Sequence, residues 1–382
     1  MHSNITLILA LSSLIWGSPF IAKFLRMPIP PVEIILGSIF TYLGLLYNNE
    51  YFYLIAEVGF LYLMFLAGME VDLKQITKSP KEVIQKSALF LILMVLFSVL
   101  SGILFSLNII VIISMPLISI GLLATLSKIY GKEPWIKLAL IAGVLGEMGS
   151  IAALTIFDAA SHTGFGFELF VKLGYLILFI FVVYLLYRFL HLLFWWMPEL
   201  KGILMPKYGT SDQDIRLAMS LFFILIAVML ALGLELALGA FIAGVAISAF
   251  FHHEKALEEK MSSLGFGFLV PLFFIHVGSS FDLRVLHLDG VISGALLITF
   301  LMILSRILAA IVLKGISGSR DALLIALSLS MPLTLLVAVA TIGKEAALLD
   351  LLSYYQLILA SIFEILISMI SIKVLQTKKE QT

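Results

Sequence analysis

The chain has 382 residues, 62% of them apolar and 13% charged, with a mean hydropathy of +1.14. A soluble domain carries about 25% charged and about 45–50% apolar residues, so this composition excludes both a water-soluble globule and a disordered chain. The 24 basic and 24 acidic residues cancel, leaving no electrostatic footprint for nucleic acid, and the lack of cysteine excludes disulfides and thiolate metal sites.

A helix crossing a bilayer needs roughly 20 apolar residues. Apolar runs bounded by charges or turn residues predict thirteen such spans. The first six are about Ile5–Ile21, Val32–Tyr47, Tyr51–Gly68, Val83–Phe105, Ile109–Leu126 and Trp135–Phe157. The seventh, Leu169–Trp196, is long. Then come Ile215–Leu232, Leu234–Phe250, Leu264–Val277, Val291–Leu313, Ala322–Ile342 and Leu351–Val374. Met1-His2-Ser3-Asn4 lacks the basic start of a signal peptide, so the first span is expected to be retained. Connections are brief, and no composition shift suggests a second domain.

Charge in the connections sets the orientation. With the N-terminus outside, twenty of the 24 basic residues fall on the inner side. Three fall outside (Lys172, Arg284 and Lys344), and Arg306 lies within a span. A missed span would scramble this alternation. The expected topology is therefore N-out and C-in.

Ser-Met-Pro-Leu occurs twice, at 114–117 in the fifth span and 330–333 in the twelfth. Proline removes a backbone hydrogen bond and clashes with the preceding turn, so Pro116 and Pro332 should break their helices. Each break is followed by an acid in the next span: Glu147 comes 31 residues after Pro116, and Glu364 comes 32 residues after Pro332. Spans four to six and eleven to thirteen run in opposite directions, so they form an inverted repeat. Secondary transporters are often built this way, binding their substrates at the midplane beside discontinuous helices.

Glu147 lies ten residues beyond Lys137, about 15 Å along a helix and at the middle of a roughly 30 Å core. Small residues surround it: Ala142, Gly143, Gly146, Gly149, Ser150 and Ala152. An intramembrane acid is costly and marks an ion or proton pathway by default. Arg306 and Glu364 are also deep, eight residues from Lys314 and nine from Lys373. Arg306 reads as an ion partner of Glu147 or Glu364, and Glu364 either belongs to the site or holds Arg306. His276 reads as a packing residue, Glu57 and Glu235 as solvated, and His252-His253 beside Glu254 as no metal site. No nucleophilic triad, phosphate loop or dinucleotide fingerprint appears in a supporting context, so neither an enzyme nor a cofactor is expected.

Several segments, in order along nearly the whole chain, resemble the monovalent cation:proton antiporters, in the branch of sodium/proton and potassium-efflux exchangers. They are Phe24-Leu25-Arg26-Met27-Pro28 with Ile35-Leu36-Gly37, and Ala56-Glu57-Val58-Gly59 leading to Phe65–Asp72. Leu238–Gly244 and Pro271–Gly278 are the most specific. The resemblance implies an all-α membrane fold with two broken crossing helices, and a homodimer. It also implies an elevator mechanism, with core helices about 83–157 and 291–374 moving against scaffold helices about 5–68 and 169–277. On the same grounds the ion-binding acid falls at Glu147, the broken-helix hydroxyl near Ser119 and the basic residue of the eleventh helix near Arg306.

One departure bears on mechanism. The chain reads Gly146-Glu147 where the family pattern pairs an aspartate with Gln, Asn or Asp. The lengthened acid has no side-chain oxygen beside it, which favours one-for-one exchange. The resemblance covers the family's transmembrane domain, and gating by a fused soluble domain is not expected. The sequence thus reads as a cation/proton antiporter for Na⁺ or K⁺ in an inner (plasma) membrane. The alternatives are a symporter of a small organic anion and a transport-inactive sensor or scaffold.

Overall fold

A computed structural model describes the chain except residues 1, 26–27, 48, 72–78, 132, 164–166, 198, 200–211, 235, 252–254 and 378–382. Among the described residues every regular element is helical. Among the described residues nine helices are long and apolar enough to cross a membrane, and three shorter apolar ones accompany them. His252, His253, Glu254, Glu235, Arg26 and Asp72 lie outside the described residues.

The chain forms two compact units. The first comprises Met1–Asn48, Lys74–Leu154 and Val277–Thr382. It opens with α1 (His2–Leu25) and α2 (Ile29–Tyr42), whose first turn accommodates proline. Next come α4 (Lys81–Leu104), α5 (Ile109–Ser114), α6 (Gly121–Tyr130) and most of α7 (Pro134–Thr163). Asn108 starts α5 by accepting from the Ile110 N–H at 2.8 Å. The unit closes with α13 (Val291–Ala309), α14 (Lys314–Ser328), α15 (Leu333–Glu345) and α16 (Leu351–Thr377). Both Ser-Met-Pro-Leu segments and the acids that follow them, Glu147 and Glu364, therefore sit in this unit.

Both Ser-Met-Pro-Leu segments interrupt their helices. Between α5 and α6 residues 115–120 are not helical, and between α14 and α15 the gap is 329–332. The eleventh and twelfth spans are separated at Gly318, where φ is 82° and a side chain would be strained. Arg320, two residues on, donates to the Leu375 carbonyl at 2.6 Å and so holds the end of α16.

The second unit comprises Asn49–Leu73 and Thr155–His276. It holds α3 (Glu50–Met69), α8 (Phe167–Trp196), α9 (Gln213–Leu232), α10 (Leu236–Phe251) and α11 (Lys255–Leu264). A π turn, Gly265–Leu269, joins α11 to α12 (Val270–Ser279). α3 and α10 approach closely because each offers a glycine to the other's backbone. A methyl group on Gly68 would strike the Phe241 carbonyl, and one on Gly244 would strike the Phe65 carbonyl. The Phe65–Gly68 and Leu238–Gly244 motifs thus meet as one interface.

The tenth span starts earlier than Leu264. Lys255–Leu264 is amphipathic: Leu257 and Met261 are buried one turn apart, and Glu258, Glu259 and Lys260 are exposed. Its charges hid a helix that runs continuously into the apolar stretch.

Candidate functional site

Glu147 lies on α7 with no solvent exposure. Its carboxylate faces the unwound stretch between α5 and α6. Oε2 accepts the Ile120 N–H at 3.3 Å, and Oε1 accepts from the Ser119 hydroxyl at 3.5 Å. The Pro116 break explains this geometry. A continuous helix would have used the Ile120 N–H internally, whereas here it is free to point at an acid. Ser119, expected near the acid, is therefore beside it.

Neighbouring backbone groups of the same stretch are also held by side chains. The Ile118 N–H donates to Ser150 Oγ at 2.8 Å, and that hydroxyl donates to the Gly146 carbonyl at 2.7 Å. The Leu117 carbonyl accepts from Arg306 at 2.7 Å. Such bonding is required at membrane depth, where an unpaired backbone group costs several kcal/mol by order of magnitude. The small residues near Glu147 serve this approach: a methyl on Gly146 would sit 2.6 Å from Ile118 Cδ1.

Arg306, on α13, pairs with Glu364 on α16 at 2.9 Å, and neither side chain is exposed. The same terminal nitrogen donates to the Met302 carbonyl at 3.0 Å. Of the two candidate partners, the arginine takes Glu364. Arg306 Nε and Glu364 Oε2 have no hydrogen-bond partner among the described residues. Pro332 immediately precedes α15, and Thr334 just beyond it carries a buried hydroxyl without a partner among the described residues. The structure thus builds two charged clusters. Glu147 and Ser119 form one, Arg306 and Glu364 form the other, and both touch residues 117–120.

A family model described as the transmembrane sodium/hydrogen exchanger matches residues 7–378. The chain belongs to the sodium/hydrogen exchanger family. Among similar exchangers, YjbQ of Bacillus subtilis (strain 168), named as a candidate Na⁺/H⁺ antiporter, is 25% identical over 406 residues. That match covers 100% of this chain and 64% of YjbQ, so the chain spans just under two-thirds of that relative's length. A Na⁺/H⁺ antiporter of Enterococcus hirae is 27% identical over 346 residues, covering 87% of this chain and 86% of that one. The solved sodium proton antiporter MjNhaP1 of Methanocaldococcus jannaschii has a TM-score of 0.66 at 18% identity, over 97% and 95% of the two chains. The exchanger fold is therefore shared, and the all-α architecture with two interrupted helices read from the sequence is the one observed. Like other exchangers, this is a multi-pass membrane protein.

Some buried polar positions in this chain do not stand out from the sequence. Ser150 drew notice only for its size, although its place three residues after Glu147 puts both on one helix face. Glu33 on α2, 2% exposed, accepts from the buried Ser18 hydroxyl at 3.1 Å. A lone acid in the apolar run 29–40 was its signal. His276 is half-buried, and its ring packs edge-on against Phe52 and Tyr53, as a packing residue should. Glu57 is half-buried on α3 rather than fully solvated.

Proposed function

We propose that this exchanger moves a monovalent cation, Na⁺ or K⁺, in one direction and protons in the other, with Glu147 as the group both compete for. The observation that carries the reading is a fully buried carboxylate aimed at the broken helix through Ser119 and the Ile120 N–H. A bare carboxylate at this depth is costly, and either a proton or a cation neutralises it. Occupancy by one therefore excludes the other, which is the coupling an antiporter needs. Ser119 supplies an oxygen that can turn from donating to the acid to ligating the cation.

Arg306 and Glu364 complete the site as a paired charge beside the same unwound stretch. One exchangeable carboxylate at Glu147 supports electroneutral exchange. The resemblance to elevator-type antiporters supports a homodimer in which core helices about 83–157 and 291–374 move against scaffold helices about 5–68 and 169–277. The distribution of basic residues supports thirteen crossings in a plasma membrane, N-terminus outside and C-terminus in the cytoplasm.

Proteoliposomes with an acidic lumen and a pH-sensitive dye test the reading. Adding Na⁺ or K⁺ outside should raise the luminal pH with wild-type protein and not with Glu147→Gln. A pH change that requires an organic solute would point to a symporter. No flux with any cation would point to a sensor or scaffold.

A further inference from the structure

We propose that Ser150 is a positioning residue that sets cation affinity by fixing where the unwound stretch lies along α7. The inference rests on the exchange reading above. Its geometry is a pair of attachments one helical turn apart. At one, Ser150 Oγ takes the Ile118 N–H at 2.8 Å; at the other, Glu147 takes the Ile120 N–H at 3.3 Å and the Ser119 hydroxyl at 3.5 Å. The stretch advances from 118 to 120 as α7 retreats from 150 to 147, so the two attachments fix its register. Ser150 is 5% exposed and its hydroxyl is held in place by donating to the Gly146 carbonyl.

The hydroxyl does more than bond back to its own helix. A serine satisfied only by the carbonyl four residues earlier is a common helix feature with no consequence elsewhere. Here the oxygen is also the acceptor for a buried N–H that the break at Pro116 left without a helical partner. Removing it frees the stretch next to its weakest contact, the 3.5 Å approach of Ser119 to Glu147. Such a shift would fall on the cation-binding oxygens while leaving the exchangeable carboxylate in place.

The test compares wild type, Ser150→Ala and Ser150→Thr in two assays. One is the half-saturating Na⁺ or K⁺ concentration for luminal alkalinisation in proteoliposomes. The other is amide hydrogen exchange of the peptide covering 115–120 in the purified full chain. Ser150→Ala should raise the half-saturating concentration roughly three- to tenfold, the loss expected of one buried hydrogen bond. Its maximal rate should change less than twofold and its 115–120 amides should exchange faster, while Ser150→Thr stays near wild type in both. A lower melting temperature with unchanged affinity would overturn the proposal, as would faster exchange at unchanged affinity. Should wild type itself show no cation-driven flux, the exchange reading falls, and unchanged protection of 115–120 in Ser150→Ala would separately overturn the anchor.

Discussion

Arg306 and Glu364 form an ion pair at 2.9 Å with neither side chain exposed to solvent. Removing one partner of a buried pair leaves the other uncompensated, at a cost of about 3–5 kcal/mol. We expect Arg306→Ala to lower the melting temperature in detergent well below that of wild type. The paired replacement Arg306→Met with Glu364→Leu should recover most of that loss, because no charge is stranded. Transport should stay impaired in the paired variant, since the Leu117 carbonyl loses its 2.7 Å donor. Equal melting of the single and paired variants would mean that the ion pair does not hold these helices.

Glu147 offers a sharper test of chemistry than of stability. Glu147→Gln keeps the shape and can still accept the Ile120 N–H, but it cannot carry the exchanged proton. We expect cation-driven flux to vanish with expression and fold intact. Glu147→Asp retains the charge but withdraws it by about 1.5 Å, one carbon–carbon bond. That variant should still exchange, with the half-saturating cation concentration raised by roughly tenfold as the hydrogen bonds lengthen. Wild-type flux in Glu147→Gln would falsify the assignment of this acid.

The broad architecture was legible because its causes are local. Apolar runs mark helices, proline marks breaks, and an isolated acid in such a run is buried with its helix. Pro116 and Pro332 declared their breaks this way, and Glu147 and Glu364 their burial. Pairing was not legible. Arg306 and Glu364 are 58 residues apart, and no periodicity chooses Glu364 over Glu147 as the partner. Ser150 escaped because its acceptor role exists only once residues 115–120 unwind against α7. The start of α11 was obscured by Glu258, Glu259 and Lys260, which are charged but lie on the exposed face of the helix. Glu33, by contrast, was legible as a lone acid in an apolar run, and only its Ser18 partner, 15 residues away, was not.

Exchange should be electroneutral. Arg306 is held between Glu364 and two backbone carbonyls, an arrangement that keeps a guanidinium charged and Glu364 committed to it. On the proposed reading Glu147 is then the exchangeable carboxylate, and it would trade one proton for one cation. With the membrane potential clamped by valinomycin and potassium, the steady-state Na⁺ gradient should follow the pH gradient alone. A gradient that scales with imposed voltage would show that a second group titrates, and Glu364, with its unpartnered Oε2, would be the first to examine.

The paired prolines make the last prediction. Both breaks fall at Ser-Met-Pro-Leu, yet their surroundings differ: residues 115–120 deliver the Ile120 N–H and Ser119 to Glu147, whereas the second gap is shorter, at 329–332. Alanine at either proline restores a missing N–H and removes the clash that holds the chain open. Closing the first gap would draw the Ile120 N–H back into a helix and turn Ser119 away from the acid. On the proposed reading, in which the start of α15 faces the site, closing the second would withdraw that half-helix end and its partial charge. We expect Pro116→Ala and Pro332→Ala each to weaken apparent cation affinity with only a small change in melting temperature, and Pro116→Ala to have the larger effect. The check is the half-saturating cation concentration in proteoliposomes alongside a melting curve for each variant. Wild-type affinity in both would make the repeated segments packing features, and the binding geometry around Glu147 would have to be redrawn without them.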